Sequence, residues 1–103
     1  MEQLDAKQAY REKDLTLSKL ALLIGTNKSY LSRYINQELN TNFNDLINGK
    51  RVQYAKELLL SENRNLYDIC EISGFNSMSS FYRAFKKFAG TTPNTYDKDI
   101  DSK

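Results

Sequence analysis

Leu17-Ser18-Lys19-Leu20-Ala21-Leu22-Leu23-Ile24-Gly25 returns 49 residues later as Leu66-Tyr67-Asp68-Ile69-Cys70-Glu71-Ile72-Ser73-Gly74. Leu20-Ala21 answers Ile69-Cys70, and Gly25 answers Gly74. After one extra residue in the second turn, Leu31, Arg33 and Ile35 answer Phe81, Arg83 and Phe85. Thr41-Asn42-Phe43 then falls opposite Thr91-Thr92-Pro93, and Leu46 opposite Tyr96. A period of this size marks a duplicated supersecondary unit. The unit is two short helices joined by a tight turn, a common way of presenting a helix to a DNA major groove. Two copies on one chain point to two reading heads.

The local signals agree with that division. Thr16 is placed to cap a helix over 17–24, whose Leu17, Leu20, Ala21 and Ile24 recur at i, i+3, i+4, i+7. Gly25 suits a left-handed helix end, and Thr26 or Asn27 can cap the next helix, which runs to about Glu38. There Leu31 and Ile35 point inward, while Lys28, Ser29, Ser32, Arg33 and Asn36 lie on the other side; Tyr30 and Tyr34 flank the inward pair. A longer helix is expected over 44–61, capped by Asn44, with Val52, Ala55, Leu58 and Leu59 as its inner stripe. Its length of roughly 25 Å separates the two units, and Gly49 within it costs about 1 kcal/mol relative to Ala.

Glu62-Asn63-Arg64-Asn65 is polar and ends that helix. Asn65 caps a helix over 66–73, with Asp68 suited to its positive end. Gly74-Phe75 forms the turn, and Asn76 or Ser77 caps a helix to about Phe88. Phe81, Phe85 and Phe88 make its core stripe; Met78, Ser79, Tyr82, Arg83, Lys86 and Lys87 face outward. Gly90 ends it, Pro93 begins a short last turn, and Tyr96 packs back. Residues 3–13 lack breakers and read as a further helix with a thin apolar stripe, and 97–103 as a frayed acidic tail. No segment alternates as a strand does. The expected organisation is one all-α domain over 1–103: a first unit at 15–43, a linker helix at 44–61 and a second unit at 65–96.

Composition narrows the function. The chain has 103 residues, 40% of them hydrophobic, and no window approaches the roughly 18 apolar residues of a membrane helix. The N-terminus has neither the basic region nor the apolar core of a signal peptide. One cysteine makes no internal disulfide, in keeping with a reducing, cytoplasmic setting. There is no His, so imidazole acid–base and metal chemistry is absent, and a single Cys excludes multi-thiolate metal sites. No Gly-rich phosphate loop appears. An enzyme is not expected, and neither is a cofactor or metal.

Net charge is only +2, but its distribution is uneven. Segment 27–37 carries Lys28 and Arg33 and no acid; segment 76–90 carries Arg83, Lys86 and Lys87 and no acid. Glu2, Asp5, Glu12 and Asp14 gather at the start, and Asp97, Asp99 and Asp101 at the end. Two positive patches on a nearly neutral protein are the pattern of phosphate contact. The bland alternative is a pair of ordinary solvated helix faces.

The stretch 68–75 (DICEISGF), continued by 80–96 (SFYRAFKKFAGTTPNTY), resembles the DNA-binding domain of the AraC family of bacterial transcription regulators. The resemblance covers roughly 90 of the 103 residues. It rests on an isoleucine-containing helix, Gly-Phe, an aromatic-x-Arg-x-Phe-Lys helix and then Gly-x-Thr-Pro-x-x-Tyr. It implies seven helices: two helix-turn-helix subdomains joined by a long central helix, reading successive major-groove segments of double-stranded DNA. By position it implies base contacts from Lys28, Ser29, Ser32 and Arg33, and from Met78, Ser79, Tyr82 and Arg83. It implies phosphate contacts from Asn36, Lys86, Lys87 and the helix N-termini at Thr26 and Asn76.

Three departures stand out. Asn40 occupies a usual Gly position of the first copy, which Asn tolerates; Lys50 replaces an apolar residue behind Gly49; and Asn36-Gln37 stands opposite Lys86-Lys87. The last of these gives the second unit the firmer expected hold on phosphate. The resemblance further implies an activator that contacts RNA polymerase and a sensory or dimerisation region elsewhere; the 14 residues before Leu15 are too few to hold one.

Arg can bond guanine O6 and N7 together, so Arg33 and Arg83 are the best candidates for base readout; phosphate contact or an acid partner is the competing role for each. Ser29, Ser32 and Ser79 bond several bases and specify poorly, and Met78 can pack on a thymine methyl. The three phenylalanines could serve as stacking platforms for single strands, but their spacing favours core. Cys70, opposite Ala21 in the repeat, reads as a small inert core residue. The competing function is a helical module that binds protein through these same faces; Asp or Glu there would have favoured it, and none is present.

Overall fold

A computed structural model describes residues 8–61 and 65–96, and every regular element among them is helical. A single 3-10 turn, Ala9–Arg11, precedes α1 (Leu17–Leu23), α2 (Lys28–Gln37), α3 (Phe43–Ser61), α4 (Leu66–Ser73) and α5 (Met78–Ala89). A last helical turn begins at Pro93 and includes residues 93–96. The expected tail at 97–103, the expected helix end at 62–64 and the segment 1–7 lie outside the described residues.

Each helix starts where a side chain can replace its missing hydrogen bonds. Thr16 Oγ1 accepts from the Lys19 N–H (3.1 Å), and Asn65 Oδ1 from the Asp68 N–H (2.8 Å). Asn27 rather than Thr26 caps α2, accepting from the Tyr30 N–H at 2.8 Å. Ser77 rather than Asn76 caps α5, accepting from the Ser80 N–H at 3.1 Å. The cap of α3 is Asn42 rather than Asn44: its Oδ1 accepts from the Asp45 N–H at 2.8 Å. Thr92, opposite Asn42 in the repeat, accepts from the Thr95 N–H at 3.3 Å. All three caps of the first unit thus have counterparts in the second.

The two units have separate cores on either side of α3. The first contains Leu20, Ala21, Leu31, Ile35 and Ile47, together with Ala9, Tyr10 and Leu15 from the N-terminal segment. The second contains Val52, Ala55, Leu58, Leu59, Ile69, Cys70, Phe75, Phe81 and Phe85. Tyr54 packs against both. Phe85 also meets Tyr96 edge-on at 5.5 Å, which holds the last turn down. Phe88 departs from the expected stripe: it is 38% exposed, lying at the edge of α5 over Gly49.

The N-terminal segment also departs from expectation. Gln8 takes φ 53°, so no α-helix runs through it, and Glu12 is extended. Tertiary contacts use its carbonyls instead. Arg51, buried on α3, donates through Nε to Tyr10 O (2.5 Å) and through Nη2 to Glu12 O (2.7 Å). On the other side, Arg11 Nε donates to Ile72 O at the end of α4 (3.1 Å), and Lys13 pairs with Glu71.

Gly74 completes this junction. Its φ is +99°, and a Cβ there would sit 2.7 Å from Arg11 O. Gly25, its counterpart, has φ +79° but open space around a Cβ. Gly25→Ala is therefore expected to cost about 1 kcal/mol, for backbone strain alone. Gly74→Ala should cost about 3 kcal/mol, because strain and overlap add. At Gly49 a Cβ would touch the Phe88 ring at an ordinary 3.6 Å, so Gly49→Ala should gain about 1 kcal/mol. Urea melts of the three variants check the order; equal losses at Gly25 and Gly74 would contradict the close approach.

Candidate nucleic-acid interface

The core stripes determine which sides of α2 and α5 face outward. Leu31 and Ile35 are 2% and 1% exposed, which turns Lys28, Ser29, Arg33 and Asn36 to solvent and leaves Ser32 half-buried. Phe81 and Phe85 are fully buried, which exposes Ser79, Arg83, Lys86 and Lys87. Met78 and Tyr82 do not stand out as expected: both are half-buried and pack on the second core, Tyr82 edge-on to Phe81 at 5.9 Å. Both lie nearer the core side of the helix than Arg83 does, as their angular positions relative to Phe81 and Phe85 require.

The helix N-termini are arranged differently from expectation. The Thr26 N–H donates to Ala21 O (2.8 Å) and so belongs to the end of α1. Asn76 is exposed, and its Nδ2 donates to Lys13 O at 3.4 Å. Asn36 turns back along its own helix, donating to Ser32 O at 2.9 Å.

The cations fall into two groups. Lys19 pairs with Asp14 (3.2 Å), Lys13 with Glu71, and Lys87 with Asp45 at the start of α3 (2.9 Å). Arg11 and Arg51 are bonded to backbone carbonyls, and Lys56 lies over the Tyr96 ring. Among the described residues, the side chains of Lys28, Arg33, Arg83 and Lys86 have no ion pair, hydrogen bond or ring partner. Two stand on α2 and two on α5. The expected advantage of the second unit therefore shrinks, because the Lys87–Asp45 pair takes up one of its cations.

Tyr30 and Tyr34, expected only to flank the inward pair, take a definite place here. Tyr30 (58% exposed), Tyr34 and Gln37 line a shallow pocket beside Arg33, with Glu38 closing it. Gln37 follows Tyr30 and Arg33 at i+7 and i+4, a spacing readable in advance. Arg51 was also legible: it falls four residues after Ile47 and four before Ala55, on the buried stripe of α3.

No group of three His, Cys, Asp or Glu among the described residues is arranged to hold a metal ion, and no helix among them is long and apolar enough to cross a membrane.

A family model described as a helix-turn-helix domain matches residues 20–99. The C-terminal domain of AraT, a response regulator from Geobacillus stearothermophilus, is 35% identical with a TM-score of 0.82, over 94% of this chain and 80% of that one. The chain belongs to the AraC-type helix-turn-helix family. That family consists of transcription regulators and is not an enzyme class. An uncharacterised HTH-type transcriptional regulator of Staphylococcus aureus (strain COL) is 34% identical over 95 residues, or 92% of this chain. The chain spans 13% of that relative's length. The DNA-binding domain of AdpA, a global transcriptional factor solved with a target DNA, shares the fold at a TM-score of 0.84 and 16% identity, over 98% of this chain and 91% of that one.

Cys70 provides a check on the AraC-type core. It is 1% exposed, its Sγ lies 3.5 Å from Ser77 O, and burial pushes its thiol pKa up. Less thiolate and no access both slow alkylation. Iodoacetamide at neutral pH should label Cys70 only as fast as the fold opens, in step with urea; labelling at the rate of a free thiol would refute the packing.

Proposed function

We propose that this chain is a sequence-specific double-stranded DNA-binding unit of a bacterial transcription regulator, with α2 and α5 in successive major-groove segments. One observation carries the reading: the four cations left without partners lie two on each candidate reading helix, while other described cations are taken up by acids, carbonyls or rings. Unpaired guanidinium and ammonium groups on an exposed helix suit phosphate and guanine edges. The molecule is 45 Å long, enough to reach along one turn of duplex, about 34 Å. AdpA's domain, of the same fold, was solved on its target DNA.

Arg33 and Arg83 are assigned to base edges, with Ser29, Ser32 and Ser79 as secondary contacts and Met78 and Tyr82 at the margin. Lys28, exposed at the start of α2, stays a candidate base contact, and Lys86 is assigned to phosphate. Lys87 reaches phosphate only by leaving Asp45. Activation through contact with RNA polymerase, and attachment to a sensory or dimerisation region, complete the proposal; the family and the chain's small share of its relative's length support them.

Selection of bound duplexes from a random library, with the winner titrated against salt, tests this. Two short blocks one helical turn apart are expected. Absence of enrichment, with weak salt-insensitive binding, would replace the proposal with a protein-interaction module. Arg83→Ala should lose about 1–3 kcal/mol of discrimination at one position of the site; a uniform loss on all sequences would make Arg83 a phosphate contact. Lys86→Ala should lower the salt slope by about one unit, and Lys87→Ala by less. An unchanged slope for Lys86→Ala would remove it from the footprint.

A further inference from the structure

The segment 8–13 makes three kinds of contact with three different partners. Its apolar side chains, Ala9 and Tyr10, belong to the first core. Its carbonyls at Tyr10 and Glu12 are held by Arg51 of α3. Its cations reach the second unit: Arg11 Nε donates to Ile72 O, and Lys13 pairs with Glu71. The return contact comes from Asn76, in the turn before α5, whose Nδ2 donates to Lys13 O at 3.4 Å. Tyr54, common to both cores, lies between: its ring meets Tyr10 edge-on at 6.1 Å and carries the Arg11 guanidinium at 4.7 Å.

We infer that the segment 8–13 is a clamp that fixes the second reading helix relative to the first, with Arg51 and Arg11 as positioning residues for two-headed DNA binding. A helix-turn-helix unit is aimed by its turn, and the turn at Gly74 lies against the Arg11 backbone so closely that a Cβ would not fit. Arg51 anchors that backbone. Its guanidinium is buried and has no carboxylate partner among the described residues, so the two carbonyls of the clamp are its main compensation for lost water. Displacing the clamp would strand a buried charge, so the segment is held far more firmly than an exposed connection. Finally, Gly25 of the first unit has no such neighbour, so the device acts on one head only.

The inference rests on the two-headed reading above, yet the orientation it describes exists without DNA. Both can therefore be measured separately on the full chain. Nitroxide labels on Ser29→Cys and Ser79→Cys, in a Cys70→Ala background, report the distance distribution between α2 and α5 by double electron–electron resonance. Unlabelled proteins are then titrated with duplexes carrying two blocks or one. Arg11→Met and Arg51→Met should each broaden the distribution. Each should also lower affinity about tenfold for two blocks and leave one-block affinity unchanged, because effective concentration falls when the second head is no longer aimed. Arg51→Lys, which keeps the charge but only part of the fork, should fall between.

If Arg51→Met does not fold, Arg11→Met carries the test, since its bond to Ile72 O is only partly buried. An unchanged distribution in Arg11→Met, or equal losses on one and two blocks, would overturn the clamp. A broadened distribution in a protein that binds neither duplex would keep the clamp and remove the DNA reading.

Discussion

A guanidinium buried without a carboxylate must find neutral acceptors, and Arg51, which has no carboxylate partner among the described residues, makes that constraint felt across the molecule. Its long-range acceptors among the described residues are Tyr10 O and Glu12 O, 41 and 39 residues away in sequence. Carbonyls drawn to Arg51 have to diverge from helical direction, and the segment that carries them is accordingly a short turn followed by extended chain. Desolvation pushes the Arg51 pKa down, but an arginine stays protonated far above neutrality, so the need for acceptors persists at every physiological pH. The Phe75 ring, 5.9 Å from the guanidinium carbon, joins this buried group to the second core. From Arg51 the constraint passes to Arg11, from Arg11 to Gly74, and so to the turn that aims α5.

Charge is distributed by the same logic. A net charge of +2 says little about partners, because the sum conceals which cations are committed. Lys13, Lys19 and Lys87 serve as tethers, and Arg11 and Arg51 serve as donors to the backbone. Surface pairs such as Lys19–Asp14 add little stability, but they locally cancel charge, so that Lys28 and Arg33 on α2 and Arg83 and Lys86 on α5 stand out among the described residues. The Lys87–Asp45 pair does more than cancel: it ties the end of α5 to the first turn of α3, beside the Phe88 ring that covers Gly49.

What could be read in advance followed from short-range physics. Caps at Thr16 and Asn65, left-handed ends at Gly25, Gly74 and Gly90, Asn40 at φ 54°, and the inward stripes of α1, α2 and α3 all depend on residues within a turn or two. Asn42 was missed for a local reason, two asparagines standing two residues apart, although its partner in the repeat, Thr92, marked the right one. The larger misses were long-range. Nothing adjacent to Lys87 announces Asp45, and nothing adjacent to Gln8 announces that Arg51 will take the carbonyls that a helix over 3–13 would have used. Met78 and Tyr82 were placed outward because the helix was divided into two faces. The wide core of Phe81 and Phe85 leaves a flank between those faces, and both residues lie in it.

The repeat therefore describes local structure better than tertiary role. Thr16 and Asn65, Asn27 and Ser77, Asn42 and Thr92 are chemically different residues doing the same capping at matched positions, which shows that the constraint is a side-chain oxygen, not a particular residue. The paired glycines go the other way. Gly25 and Gly74 are the same residue with the same hand of φ, but one faces open space and the other faces Arg11 backbone. A turn that only needs a left-handed residue tolerates asparagine or a strained alanine. A turn that also admits a neighbouring backbone tolerates glycine alone. The second copy is thus bound by a condition the first never meets, and this condition converts two similar helix-turn-helix units into a pair with a defined relative orientation.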